Sequence, residues 1–452
     1  MRKKQVYFSF VTALGLSIGL SLFASPEAQA APVFEYGSYF RAGTGTNLNG
    51  TKHECFNNDG ASANEFRLGN ECGIYGELTA RAWLIKADQP QDPFLKAQTT
   101  FAYFPPGDTQ YEGNDFDGQD INLVEAYTEG GNFDGVKMSF WAGKRFYRAG
   151  DVHMDDFYYF AAMSGVGGGV GDIDIGLGKL KVAVLQETAS QSKAQTASTP
   201  QQQTRVQTTA GAIGKTALDM QITGIRLTDV DSLHVWGVLA ATSPGFDAST
   251  SKHYEAGRGW ALGLRHERAL AQGFNQFAVV YGSGVMDSLS MWGGTALEAG
   301  ANNANSASRF RVVEHLTTKL ADRWATHAAL IYEQRNNGAA TDSQSTWWSV
   351  GARPVYFLTD HFHLVGEVGH SIVTNEADRV GGARIDARHL TRLTFSPEVA
   401  MGPDIWARPT IRFFVTHSFW NDDNKTFIAR NAPSYAQETS GTSIGVQTEV
   451  WF

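Results

Sequence analysis

The last nine residues, Ile444 to Phe452, alternate apolar with polar or small side chains at every step and end on an aromatic. No other stretch of the chain restricts its fold so tightly. Side chains of a strand point to opposite faces with a period of two, so Ile444, Val446, Thr448, Val450 and Phe452 share one face. Gly445, Gln447, Glu449 and Trp451 share the other. A terminal strand with a greasy face, a polar face and an aromatic last residue is the ending of a β-barrel set in an outer membrane. Phe452 then faces lipid and Trp451 faces the interior, where a wide pore has no need of an aromatic.

The other end fits the same compartment. Met1-Arg2-Lys3-Lys4 precedes an apolar run from Val6 to about Ala24 and then Ala28-Gln29-Ala30. These are the charged, apolar and small-residue regions of a secretory signal peptide, with cleavage expected after Ala30. Residues 31–452 are expected to form a single barrel domain, since a closed barrel cannot be divided without exposing strand edges. No later apolar run reaches the roughly 18 residues of a membrane helix, whereas a barrel needs only alternate residues apolar. The mean hydropathy of −0.26 is compatible with that. The 48 glycines, 13 prolines and 12% aromatics also suit strands and turns. A net charge of −9 without a basic run argues against nucleic-acid binding. Cys55 and Cys72 are the two cysteines of an exported chain, so a disulfide between them is expected. They are too few to hold a structural zinc ion with His53 alone beside them.

Alternating segments recur along the chain, among them Phe34 to Ala42, Ile74 to Leu84, Gln276 to Tyr281, Trp347 to Phe357, His363 to Val368 and Ile405 to Phe414. Tight turns are expected at Ala321-Asp322, Thr359-Asp360 and Pro403-Asp404. The polar stretches Ser190 to Thr209 and Ala296 to Ser308 read as long outer loops. At about 23 residues per strand with its share of loop, the chain accommodates roughly 18 antiparallel strands, a size that leaves an aqueous channel.

Chemistry is weakly signalled. Asp151, His153, Asp155 and Asp156 could be read as metal ligands, but their spacing suits solvated loop charges better. Asp155 and Asp156 are adjacent, and on an extended chain adjacent side chains diverge, which disfavours an acid/base pair. The glycine run Gly165 to Gly171 and Gly178-Lys179 would need Ser or Thr where Leu180 stands to be a phosphate loop. No catalytic role, metal or cofactor is expected.

Parity is more informative. If Phe34, Tyr36 and Phe40 face lipid, Glu35, Tyr39 and Arg41 face the lumen. Ile74 and Leu78 likewise put Tyr75, Glu77 and Arg81 inside, and Phe277, Val279 and Tyr281 put Phe274 and Gln276 there. With Ile405, Pro409, Ile411 and Phe413 outside, Trp406, Arg408 and Arg412 fall inside. Aromatic rings beside charges suit sugars, whose C–H faces stack on rings while their hydroxyls exchange hydrogen bonds with Arg, Asp and Glu.

The chain resembles the maltoporin family of carbohydrate-selective porins. The likeness is carried by Phe66-Arg-Leu-Gly-Asn-Glu-Cys72, Trp141-Ala-Gly-Lys-Arg-Phe-Tyr147, Asp151-Val-His-Met154, Asp156-Phe-Tyr-Tyr159, Ile173-Asp-Ile-Gly-Leu-Gly-Lys-Leu180, Gly273-Phe-Asn275 and Ile405-Trp-Ala-Arg-Pro409. It implies an all-β, 18-stranded transmembrane antiparallel barrel with an inward-folded constriction loop, a homotrimer in a Gram-negative outer membrane, and passive diffusion of maltose and malto-oligosaccharides along a slide of lumen aromatics. Tyr39, Tyr75, Phe274, Trp406 and Trp451 match five slide positions, and Tyr111 aligns with a sixth supplied by a neighbouring subunit. The polar track resembles Arg41, Arg67, Glu77, Asp151 and Asp156, with Tyr158 as the narrowing tyrosine. Val124 and Ala149 stand where the family has arginines, and Arg148 is the candidate substitute for the second. The partners implied are malto-oligosaccharides or related sugars, further copies of the chain, outer-membrane lipid and a periplasmic sugar-binding protein. A porin of the same fold for another oligo- or disaccharide, or a general diffusion porin, is the alternative.

Overall fold

A computed structural model describes residues 32–49, 52–62, 65–104, 121–188, 214–247, 252–291 and 303–452. The signal peptide, Tyr111 and the stretch 190–209 lie outside the described residues.

The backbone closes into one 18-stranded antiparallel sheet. Its strands are β1 (Val33–Asn47), β2 (Tyr75–Ile85), β3 (Phe94–Tyr103), β4 (Ile121–Gly131), β5 (Ser139–Arg145) and β6 (Gly165–Asp174). They continue as β7 (Lys179–Thr188), β8 (Gly214–Arg226), β9 (Asp231–Thr242), β10 (Gly257–Leu270), β11 (Gly273–Gly284) and β12 (Ser308–Ala321). The last are β13 (Trp324–Asn336), β14 (Gln344–Phe357), β15 (Phe362–Asn375), β16 (Arg388–Ala400), β17 (Thr410–Trp420) and β18 (Ser440–Trp451). The first and last strands pair, with Tyr39 opposite Trp451 and Arg41 opposite Glu449. Beyond that register, the Ser38 and Phe452 amides and carbonyls exchange hydrogen bonds of 3.0 and 3.1 Å. The C-terminal aromatic therefore closes the barrel, which removes the free strand edges.

The strand faces are inverted relative to a water-soluble sheet. On β17, Arg412, Thr416 and Ser418 are buried, while Ile411, Phe413, Val415 and Phe419 are exposed. That inversion is what a lipid environment requires of a barrel.

Connections alternate in length. Turns such as 227–230, 271–272, 322–323 and 358–361 lie at the end that holds the C-terminus, and long connections such as 48–74, 146–164 and 421–439 lie at the other. The glycine run is strand β6, where a Cβ on Gly167 would come within 2.0 Å of the Val184 carbonyl oxygen. Close backbone approach explains those glycines.

Two sequence expectations are corrected. The segment Ile405 to Phe414 is not one strand: residues 401–409 form a turn, and β17 begins at Thr410. Ile405 does not face lipid but packs against the buried Leu68, Ala325, Val355, Phe357 and Val365. Ser308 belongs to β12 rather than to the loop before it.

The apolar core lies inside the barrel and is built by inward loops together with inward-facing residues of the strands, such as Trp236, Val280 and Trp347. A hairpin of Arg148–Val152 and Phe157–Ala162 folds inward from the connection 146–164. Val152, Met154, Tyr159 and Met163 from this connection pack with Val285, Met286, Leu289 and Met291 from the connection after β11. The Met291 amide donates to the Ala162 carbonyl at 3.2 Å. The loop 48–74 joins from the opposite side, where the Arg67 amide donates to the Met154 carbonyl at 2.9 Å and the Phe66 amide to Asp155 Oδ1 at 3.1 Å.

Candidate functional site

Four of the predicted aromatics, Tyr39, Tyr75, Phe274 and Trp451, lie on strand faces that the register turns inward. Tyr39 of β1 stands opposite Glu77 of β2 on one side and Trp451 of β18 on the other. The Tyr39 and Trp451 rings are nearly parallel, 20° apart with centroids at 6.4 Å. Tyr75 follows at 5.9 Å from Tyr39, and Phe104, which parity did not reveal because it lies just past β3, stacks on Tyr75 at 6.2 Å. Phe274, the second residue of β11, lies on the far wall, beside His315 at 5.4 Å.

Trp406 reaches the group by a different route. It sits on the turn 401–409, where its amide and that of Ala407 donate to the Asp404 side chain and carbonyl at 2.7 and 3.1 Å. Its indole meets His153 of the inner hairpin at 4.9 Å and His327 of β13 at 5.0 Å. Parity placed Trp406 inside for the wrong reason, since this segment is not strand.

Charged groups run alongside. Arg67 Nη2 donates to the Tyr39 hydroxyl at 2.7 Å and to Glu449 at 2.8 Å, while its Nε donates to Glu71 at 2.7 Å. Arg41 donates to Asp156 at 3.0 Å, and its guanidinium carbon lies 5.5 Å from the centroid of the Tyr75 ring. The Tyr75 hydroxyl donates to Glu77. Glu449 also accepts from Arg408 at 2.9 Å and Arg412 at 3.0 Å. Arg408 lies over Trp451 at 4.1 Å. The side chains of Arg67, Glu71, Arg408, Arg412 and Glu449 are buried yet mutually paired, the condition under which buried charge is tolerated. The Tyr39 hydroxyl is thereby held by two hydrogen bonds, from Arg67 and to Glu449, and the Tyr75 hydroxyl by one.

The constriction hairpin contributes Asp151, Asp156 and Tyr158, with Asp151 opposite Tyr158 in its register. Burial, and then the neighbouring Asp156 charge, push the Asp151 carboxyl on this loop up to about 6. Arg148 lies 3.9 Å over Phe146 and 4.3 Å over Tyr158, a cation held between two rings. His153 and Asp155 are buried rather than solvated, which corrects the reading of this run as loop charges in water. Burial, and then the Glu65 charge, raise the Asp155 carboxyl to about 7. Val124 is the unpaired residue of a β-bulge, because the pairing of β3 with β4 shifts from Thr100 opposite Glu125 to Phe101 opposite Leu123.

On the C-terminal side of these groups opens a cavity of about 540 Å³ lined by Glu35, Tyr39, Glu77, Thr79, Arg81 and Gln98. Cys55 and Cys72 form the expected disulfide, with Cα atoms 5.8 Å apart.

An inverted barrel, inward loops and a lumen of rings and ion pairs describe a channel, and residues 34–452 match the LamB porin family. The chain belongs to that family. It is an outer-membrane porin channel. Solved structures similar to this porin include OmpT of Vibrio cholerae in its trimer form, with 10% identity, 94% of this chain and 100% of that chain covered, and a TM-score of 0.43. A BenF-like porin from Pseudomonas fluorescens Pf-5 shares 7% identity over 93% of this chain and 99% of that one, with a TM-score of 0.48. OccK2 (OpdF) of Pseudomonas aeruginosa, in complex with glucuronate, shares 8% over 93% and 98%, with a TM-score of 0.47. Family membership follows from the sequence match alone.

Sequence reasoning missed several residues around the path of this porin. Glu71 and the rings of Phe104, His315 and His327 were not singled out. The two histidines were legible in principle, because His315 and Thr317 share a parity on β12 and His327 lies opposite Thr317 on β13.

Proposed function

We propose that this porin is a passive, selective channel for maltose and malto-oligosaccharides, working as a homotrimer. The observation that carries the reading is the succession of Tyr75, Tyr39 and Trp451 rings at 5.9 and 6.4 Å, flanked throughout by paired arginines and carboxylates. A pyranose chain offers apolar C–H faces to such rings and hydroxyls to Arg41, Arg67, Glu77, Asp151 and Asp156. Trp406 and Phe274 extend the slide toward the C-terminal end of the barrel, and Tyr158 with Arg148 narrows the passage. Weak binding at several successive places lets a sugar arrive and leave. Tyr111 of a neighbouring subunit would supply the outermost ring. Sugar delivered to the periplasm would pass to a soluble sugar-binding protein.

A channel for another oligo- or disaccharide is the second reading. It is favoured by Val124 and Ala149, which bring no charge where the family has arginines, and by an Arg148 held between rings.

Single-channel conductance in planar bilayers, with graded malto-oligosaccharides, tests both. Concentration-dependent current block that tightens with chain length is expected; block by another sugar alone selects the second reading, and block by none sinks sugar selectivity. Trp406→Ala should weaken the block about threefold to tenfold, the range for one lost aromatic contact. Tyr158→Ala should raise ion conductance, and unchanged behaviour in both removes the site assignment.

A further inference from the structure

Four of the slide rings are carried by barrel strands, where register fixes their direction, but Trp406 is carried by the turn 401–409. A strand ladder therefore does not hold it. Two histidine rings meet it edge-on instead, His153 at 65° and His327 at 72°. They come from opposite elements, the inner hairpin and the barrel wall, and also meet each other at 5.2 Å. His327 is 1% exposed, which leaves its ring no free face to offer a sugar. Its Nδ1 lies 2.8 Å from the Thr317 hydroxyl, and the same hydroxyl is 3.4 Å from Nε2 of His315. Thr317 thus ties the wall histidine to its own strand pair, and His315 carries the contact on to Phe274. His153 also abuts Trp451 at 6.1 Å and 88°.

We propose that His153 and His327 form an edge-on clamp that positions Trp406 for sugar, coupling the constriction hairpin to the slide. The proposal rests on the sugar-channel reading. Edge-to-face contacts orient a ring because its positive edge seeks the partner's negative face. A turn-borne indole held against two mutually touching rings keeps its remaining surface toward the passage, consistent with its 36% exposure. Both histidines are positioning residues, since neither has surface left for substrate.

The test compares two substitutions of His327. His327→Phe keeps the ring edge and loses the bond to Thr317; His327→Gln keeps a polar group near Thr317 and loses the ring. His327→Gln should weaken sugar block about fivefold, and His327→Phe should restore most of it. In a Trp406→Ala background the further change to Gln should alter block by less than about twofold, because the clamped ring is gone. An equal loss in both backgrounds, or a Phe variant as deficient as Gln, overturns the clamp. His153→Gln, on the hairpin, repeats the test without altering the barrel wall. Open-channel current noise without sugar gives an independent readout: it should rise for Gln relative to Phe as the indole loosens. If the unaltered channel shows no sugar block, the sugar reading fails, and equal noise in the Gln and Phe variants then overturns the clamp as well.

Discussion

Asp151 lies on the inner hairpin, opposite Tyr158, with its carboxyl raised to about 6 by burial and by Asp156. A raised carboxyl is neutral below that value and gains its negative charge as the pH rises through it. Lowering the pH from about 8 to about 4 should therefore reduce the ratio of cation to anion permeability, with the change centred near 6 rather than near the ordinary aspartate value of about 3.9. Reversal potentials across a salt gradient report the ratio. The Asp151→Asn channel should lack this step, and an identical step in that variant would remove Asp151 as its source. Resemblance pointed to Asp151, while only the fold showed that it is half-buried beside Asp156. Arg148 illustrates the same division: sequence made it a neighbour of Ala149, and the hairpin put its guanidinium between Phe146 and Tyr158.

Among elements, the barrel strands were the most legible, because lipid outside and water inside impose a strict two-residue period. The turn 401–409 was misread for an equally physical reason. Its apolar and polar residues continue the alternation of β17, but Pro409 has no N–H for a ladder and Asp404 caps a local turn. The motif Phe66 to Cys72 was read in the sequence, but not that its loop, 48–74, folds inward. Phe66 adopts φ +50°, an unfavourable backbone for an aromatic residue, and its ring packs against two paired glycines of the barrel wall. A Cβ on Gly351 or Gly369 would come within 2.2 Å of that ring. Gly369→Ala should therefore displace Phe66 and loosen the loop, destabilising the fold by roughly 1–3 kcal/mol and raising ion conductance. Melting and conductance equal to those of the unaltered protein would show that the ring can give way freely. The Cys55–Cys72 bond closes the same loop, and the chain-entropy account assigns about 3 kcal/mol to a cross-link of that span.

For the molecule as a whole, stability depends on an apolar outer belt around an interior that holds both an apolar core and paired charges. Leu262, in the middle of β10, is 50% exposed on that belt between Trp260 and Leu264. Leu262→Arg should destabilise the folded barrel by roughly 2–4 kcal/mol if the position lies near the bilayer midplane. Denaturant titration in lipid vesicles measures the loss, and a change below about 1 kcal/mol would exclude that depth for this position. The assembly state is open to analytical ultracentrifugation in detergent, where a mass of three chains is expected and a monomer would remove the trimer from the proposal.

The sequence by itself determined the barrel, its approximate strand number, the lipid-facing parity and the disulfide. These follow from local alternation, from turn spacing and from the chemistry of an exported chain, none of which needs knowledge of distant contacts. Only the tertiary structure decided what fills the lumen. Phe66 meets Gly351 and Gly369, Arg67 meets Glu449, and Trp406 meets His153 and His327 across hundreds of residues or between loops with no period to read. The terminal pair shows both limits at once. Phe452 was placed by alternation alone, whereas the stacking of Trp451 on Tyr39 exists because the barrel closes there and brings the two ends of the chain together.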